Sequence, residues 1–504
     1  MFPADSKRLS VLRSGENMGI LNIFKKSKKS DIDDELSRLE SNLLPDEGIV
    51  GEVEHGGPSK KKEDDKTGAD AKRCSFIMGV TDYAPIEGTD NIVVTGNLKG
   101  SVDTGVSLAV INYGDDRKEM LMTSVIGLDV NGESVEHASD CYAGLILEGA
   151  SDIDIRIGTV LYTRDMGSDS IHDAYVAALS EGYVKERALE MTDEEINRLS
   201  LTDCSEIWRL NTWYMAHEGQ DEMEGLKRIR EERLNKIVLS LRDKILDADE
   251  IYYVHDKRTG EAHLYSQTFD NGDGSYICSN PNIMIISKAY RRRYKKVYNT
   301  DTTELAIVRN GKDKKGIHNF LQGNFYINGA CGVAVNAVQV SIAAGMLVDK
   351  PVYDGVPVEN IPVTNPGLVR WMLLLGQLDS PKEDPEEAVA FRLYFSFLGR
   401  ELKRARLIIP VKHQTEGEDG QDNEGLDVAR MKGKDGKDAM IMYTDWRRLR
   451  SEYGKNWDGM VHRVGGIIGK FDCALNPTKY PSAGMYLTEE MYKSMVRMSK
   501  KAKV

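Results

Sequence analysis

Residues 282–294 read NIMIISKAYRRRY, and residues 438–450 read DAMIMYTDWRRLR. Each is an apolar run of strand length, a polar turn, then an aromatic followed by arginines. Tyr290 falls on Trp446 at an offset of 156. The preceding strands, EIYYV from Glu250 and RLIIPV from Arg406, keep that offset. Farther on, AVNAVQVSIAAGM (334–346) matches ALNPTKYPSAGM (474–485), with Asn336 on Asn476 at an offset of 140. The first copy therefore carries about sixteen extra residues, which the alignment puts in Lys295–Lys315. The two copies run near 222–350 and 380–498, each opening on a long amphipathic helix. In the first, Leu226, Ile229, Leu234, Ile237, Val238 and Leu241 share one face. Between the copies, Pro366 stands at a first helical position.

Outside this pair the periodicity changes. From Cys74 to Leu161 come FIMGV, NIVVTGNL, VSLAVI, EMLMTSVIGL, YAGLIL and GTVLY, separated by Gly and Asp turns. Short strands at this spacing predict a small barrel. Ile92 and Val94 alternate with Val93 and Thr95, and Gly96, Gly100, Gly105 and Gly149 suit turns at positive φ. From 170 to 246 the period is helical, with a capping box at Thr192 and Glu195. Ile32, Leu36, Leu39 and Leu43 predict a helix over 31–45. The polar stretch from Gly56 reads as a linker.

Composition bounds the function classes. The chain has 504 residues, 40% hydrophobic and 29% charged, with a net charge of −13. That mass predicts several domains with real cores, and the acidic balance argues against a whole-chain nucleic-acid binder. Six cysteines stand far apart with no CxxC, so neither a zinc site nor a disulfide framework is expected. No apolar run is long enough to span a membrane. MGILNIFKKSKKS, from Met18, puts its apolar residues before its lysines, the reverse of a secretory signal. It reads as a docking or disordered tail, with weak membrane-surface contact as the alternative. The start, Met1 or Met18, stays open.

Residues 76–161 resemble the second domain of elongation factor Tu and its translational GTPase relatives. The resemblance is carried by APIEGTDNIVVTGNLKGSVDTGVSLAVI (84–111) and SVEHASDCYAGLILEGASDIDIRIGTVL (134–161). It implies a closed six-stranded β-barrel. The family's nucleotide-meeting groups are replaced here by Asn131-Gly132-Glu133, Ala138-Ser139-Asp140 and Glu148. No G-x-x-x-x-G-K-[ST] loop accompanies the barrel; GGIIGK at Gly465–Lys470 has the wrong spacing. The last copy resembles the N-terminal domain of the SseB (enhanced serine sensitivity) family. Pro410-Val411, Tyr443-Thr444-Asp445 and Leu475-Asn476-Pro477 carry it. Residues 222–350 are its divergent second copy, with Val254 lacking the preceding proline, Ser287 near Thr444, and Asn336-Ala337 for Asn476-Pro477.

The expected fold is therefore multidomain: a small closed antiparallel β-barrel of the translation-protein type, helices, and two tandem α/β (α+β) SseB-like domains. The segments are a basic tail, short helix and linker (1–72), the barrel (73–163), a helical connector (164–221), the divergent copy (222–350), a connector (351–379) and the last copy (380–504). Candidate interaction residues are Tyr290, Arg291, Arg292, Arg293, Trp446, Arg447 and Arg448, an aromatic and basic interleaving that can grip an anionic chain. The same pattern also suits a helix whose arginine stems cover apolar surface. FDNGDGSY (269–276) reads as a hairpin on Asn271-Gly272 rather than a calcium loop. His413–Gly425 reads as a solvated loop. His318 and His462 each precede a closing strand. No catalytic, cofactor or metal residues are expected.

The expected function is a non-catalytic binding or scaffold protein of the bacterial cytoplasm with a protein partner. One alternative is a translation-associated factor binding tRNA or ribosome through the barrel, without GTPase activity. Nucleic acid could also meet the local basic stripe. The other alternative is an enzyme with its site between the SseB-like copies.

Overall fold

The computed structural model describes residues 75–115, 121–272, 276–337, 340–379, 384–413, 426–433 and 436–501. The N-terminal tail, the expected helix and linker that follow it, Cys74, and the loop after His413 lie outside the described residues. The chain divides into two compact units. Of the described residues, one unit comprises those within 75–112, 121–188 and 210–228; the other comprises those within 113–115, 189–209 and 229–501.

The first unit holds six barrel strands: β1 (Phe76–Gly79), β2 (Ile92–Asp103), β3 (Ser107–Asn112), β4 (Leu121–Val130), β5 (Tyr142–Leu147) and β6 (Thr159–Tyr162). Every neighbouring pair is antiparallel in the order β1-β6-β3-β4-β5-β2, and Ile77↔Lys99 pairs β1 back to β2. The barrel is thus closed, which removes the free edges an open sheet would expose. Alternation builds its interior: Ile92, Val94 and Leu98 of β2 meet Leu145 and Leu147 of β5, all buried. Gly100, Gly105 and Gly149 have positive φ as expected. Gly96 differs, because it is not among the positive-φ glycines and its role is close approach. A Cβ there would stand 2.1 Å from the Gly79 carbonyl oxygen. Helix α1 (Ser168–Tyr183) packs on β1 and β6 through Ile171, Tyr175, Ala178 and Leu179.

In the second unit, α2 (Asp193–Arg198) starts at the predicted box. Glu195 N–H donates to Thr192 Oγ1 at 3.2 Å, and Thr192 N–H donates to Glu195 Oε2 at 2.7 Å. Helix α3 (Leu201–His217) follows, then α4 (Glu224–Asp247). The buried face of α4 is Arg230, Ile237, Leu241 and Ile245, while Ile229 is exposed. The sequence pattern picks Ile229 because it is apolar; the helix instead turns its neighbour Arg230 inward.

After α4 come β7 (Glu250–Asp256), β8 (Asn282–Ile286), α5 (Arg291–Tyr298), β9 (Thr303–Arg309), α6 (Gly316–Tyr326), β10 (Gly332–Val335) and β11 (Val340–Ala343). Strand β7 is antiparallel to β8 (Tyr252↔Ile286) and to β9 (Tyr252↔Ile307). Strands β8 and β10 are parallel (Ile285↔Val335), and β10 turns back on β11 (Val335↔Val340). The hairpin Thr268–Asp270 with Tyr276–Cys278 forms as read, with Gly272 at φ 76.

Helix α7 (Pro366–Gly376) begins on Pro366 as expected. Helix α8 (Pro385–Arg404) begins on Pro385, where Asp384 accepts from the N–H groups of Glu386 and Glu387. Next come β12 (Leu407–His413), β13 (Asp438–Met442), α9 (Trp446–Glu452), β14 (Asp458–His462), β15 (Asp472–Leu475), β16 (Met485–Leu487) and α10 (Glu489–Lys501). The succession of pairings is the one seen before. Strand β12 is antiparallel to β14 (Ile408↔Val461) and bridges antiparallel to Tyr443 just after β13. Strands β13 and β15 are parallel (Met442↔Leu475), and β15 turns back on β16 (Leu475↔Met485).

Two details of the sequence alignment change. Pairing with β10 and β15 aligns Ile285 with Met442, an offset of 157 rather than 156. The extra residues between the later strands form α6, beyond the Lys295–Lys315 stretch. Short apolar runs slide against one another by one residue without penalty in a sequence comparison, whereas a ladder register does not.

Candidate functional site

Parallel strand pairs in α/β sheets place ligands beyond their carboxyl ends. Those ends in the second unit are Ser287 after β8 and Thr444 after β13. Each is closed by an asparagine at the end of the neighbouring strand. Asn336 has φ 48 and Asn476 has φ 47, the left-handed region where asparagine is favoured among residues with a side chain. Asn336 N–H donates to Ile285 O at 2.8 Å, and its Oδ1 accepts from Ser287 N–H at 2.8 Å. Asn476 N–H donates to Met442 O at 2.9 Å, and its Oδ1 accepts from Thr444 N–H at 2.9 Å.

Side chains complete each closure. Thr202 Oγ1 donates to Ser287 Oγ at 2.9 Å, and Asn336 Nδ2 donates to Ser205 Oγ at 2.8 Å. In the later half Thr444 Oγ1 donates to Asp445 Oδ2 at 2.8 Å, and Asp445 Oδ1 caps α9 by accepting from Arg448 N–H at 3.0 Å. All seven of these residues are buried. Beside Ser287 lies an open cleft of about 400 Å³ lined by Thr202, Lys244, Asp247, Glu250 and Lys288 among others. Lys288 and Glu250 stand 3.4 Å apart across its wall. The mixture of signs gives this cleft no single charge to offer a ligand.

The two aromatic and arginine helices do not form one site. Tyr290 is buried at the start of α5, and its hydroxyl donates to Glu206. Burial first, then the Glu206 carboxylate, push the Tyr290 phenol well above its ordinary range. Tyr294 is pushed up to about 12, again by burial first and Glu206 second. Arg291 donates to Tyr252 OH at 2.9 Å and sits 5.4 Å from that ring's centroid. Arg292 points to solvent and Arg293 is half-buried.

In α9 the arginines turn inward along the chain. Arg448 is buried and bonds Asp445 Oδ2 at 2.6 Å, Glu261 Oε1 at 2.8 Å and Asn328 Oδ1 at 2.8 Å. Arg447 bonds the same Glu261 and Asn328 at 2.6 and 2.8 Å. Trp446 is half-buried over Gly459, where a Cβ would stand 2.5 Å from the indole. The region between the two halves is therefore occupied by a polar clamp. It continues in Arg258, which donates to Asp256 Oδ2 at 3.0 Å and to Gln377 O at 2.8 Å. Burial raises the Asp256 carboxyl, but bonds from His263, Arg258 and Thr259 N–H outweigh it and hold the group well below the usual carboxylate range.

Glu261, Asn328, Asp256 and Arg258 belong to no motif, and no signal in the sequence marks them. His318 lies on α6 and His462 ends β14, both exposed, so they do not share a position. Burial pushes the Cys204 and Cys473 thiols up to about 12. Among the described residues, no group of three His, Cys, Asp or Glu stands close enough to hold a metal ion. On the barrel, Asn131 and Gly132 form a tight turn at φ 57 and 84, with Gly132 N–H donating to Asp129 at 2.9 Å. Glu148 is exposed.

These features define a multidomain chain with a closed six-stranded antiparallel barrel, helices and further mixed sheets. Among solved structures it is similar to translation elongation factor SelB from Methanococcus maripaludis. Against the apo form the identity is 27%, over 19% of this chain and 20% of that one, with a TM-score of 0.16. Against the complex with the GTP analogue GppNHp the identity is 24%, over 27% and 24%, again with a TM-score of 0.16. The chain thus spans about a quarter or less of those factors. No protein-family profile matches the chain, and no curated protein matches it. Among the described residues, no helix is long and apolar enough to cross a membrane.

Proposed function

We propose that the chain is a non-catalytic binding or scaffold protein of the bacterial cytoplasm, and that its second unit carries two tandem SseB-like copies. The recurring order of pairings supports the tandem reading, from β7 to β11 and from β12 to β16. So does the pair of left-handed asparagines, Asn336 and Asn476, that bond equivalent amides. The observation that carries the functional reading is the closure of both strand ends. Where a sheet of this kind would offer a ligand its carboxyl edge, Ser287 and Thr444 are buried and bonded to neighbouring side chains. A partner then meets outer faces rather than the open cleft of mixed charge beside Ser287.

Cross-linking of the full chain in an extract of its source cells, followed by reconstitution with the purified partner, tests this. The expected result is a saturable, reversible complex with cross-links on exposed faces. Catalytic turnover that Ser287→Ala or Thr444→Val abolishes, with the fold intact, overturns it.

A translation-linked reading draws on the closed barrel, with nucleic acid or ribosome as partner. Co-sedimentation with ribosomes at low salt is its test, and absence from the ribosomal pellet removes it.

A further inference from the structure

We infer that the outer face of α5 is a docking site for an acidic polypeptide segment of a partner, an inference that rests on the scaffold reading above. From Ser287 to Thr300 the chain carries six cations, Lys288, Arg291, Arg292, Arg293, Lys295 and Lys296, and no acid. Arg292, Lys295 and Lys296 occupy i, i+3 and i+4 on one face, all three exposed. None of these three forms an ion pair with a described residue. Like charges at this spacing destabilise a helix by a few tenths of a kcal/mol per pair. An eight-residue helix with three exposed cations that no described residue pairs, in a chain of net charge −13, presents them to an acidic partner.

The equivalent helix α9 sharpens the point. Its Arg447 and Arg448 are engaged by Glu261 and Asn328, and Arg450 donates to the carbonyls of Gly454 and Trp457 at 3.1 and 2.5 Å. The same aromatic and arginine motif is consumed internally in one half and left facing solvent in the other. Of these two helices, α5 is the one with exposed cations that no described group engages.

An acidic peptide fits this face better than the other polyanions. Tyr290 and Tyr294 are buried against Tyr252, Met284 and Ile286, and the half-buried Tyr298 stacks on Tyr294 at 5.9 Å, so α5 presents no fully exposed aromatic ring for a base to stack on. The exposed apolar side chain of the helix is Val297, whereas interfacial membrane helices bury a face of Trp, Phe and Leu. A long nucleic acid would also run on past the patch into an acidic molecule. From Arg292 to Lys296 the axis rises about 6 Å. An extended segment of about two or three residues spans that distance, placing carboxylates against cations. Asp301 and Glu304 close the patch on its C-terminal side.

The test is fluorescence anisotropy on the full chain with a fluorescein-labelled alternating Glu-Ser dodecapeptide. An oligouridylate dodecamer and vesicles of equimolar phosphatidylcholine and phosphatidylserine serve as competitors. The peptide should bind in a salt-sensitive manner, and Arg292→Glu/Lys295→Glu/Lys296→Glu should weaken it by about tenfold or more. The reversal Lys493→Glu/Arg497→Glu on α10 should leave binding unchanged. No binding of the peptide, binding that survives the α5 reversal, or preferential capture of the RNA or the vesicles each overturns the inference. None of these outcomes touches the scaffold reading, whose cross-links can lie on any outer face.

Discussion

Replacing Arg448 with alanine should unlock the two halves of the second unit. The Arg448 side chain is only 6% exposed and holds three acceptors, Asp445, Glu261 and Asn328. Glu261 keeps Arg447 after the change, so its charge stays neutralised. Asp445 does not: its side chain is 2% exposed, and it loses its one ion-pair partner while still capping α9. Removing one member of a buried pair costs about 3–5 kcal/mol, mostly from the charge left behind. For a unit of about 300 residues each kcal/mol moves the melting midpoint by about 1.5–2 °C, so Arg448→Ala should lower its transition by about 5–10 °C. Arg447→Ala is the control. That side chain is 44% exposed, and an exposed pair is worth about 1 kcal/mol or less. Arg448→Lys keeps the charge but not the fork, and should fall between the two. Calorimetry of the full chain follows the transition, and hydrogen exchange at β13, α6 and α9 assigns it to this unit. Equal losses for Arg447→Ala and Arg448→Ala, or a loss in Arg448→Ala under about 1 kcal/mol, would refute the clamp as the joint between the halves.

Asn476→Ala should cost more than Asn476→Gly. Both lose the bond to Thr444 N–H, but alanine also carries a left-handed penalty of about 1–2 kcal/mol, readable in denaturant midpoints. The Asp256 carboxyl is held below its unfolded value, so its stabilisation is present above about pH 4 and is lost as pH falls from there. Asp256→Asn should therefore flatten the acid limb of the stability curve below that pH, and an unchanged slope counts against the assignment. Thr192→Ala removes the capping box of α2 and should cost about 1 kcal/mol, seen as faster amide exchange over Asp193–Arg198.

The barrel was legible because its signals are local. Alternation at Ile92–Thr95 and the positive φ of Gly100, Gly105 and Gly149 each depend on neighbours a few residues away. The two strand ends of the second unit were legible for the same reason, through Asn336 and Asn476, both at positive φ. What the sequence did not carry is the partner of each charge. YRRRY and WRRLR look alike because helix-surface chemistry looks alike. Their different fates are set at Glu261, which lies 187 residues before Arg448 and belongs to no pattern. A hydrophobic period reports which face is buried, and even that fails where a cation takes the inward place, as Arg230 does beside Ile229. Long-range polar pairing has no period at all. The chemically telling residues here are therefore the three on α5, Arg292, Lys295 and Lys296, that no described acid pairs.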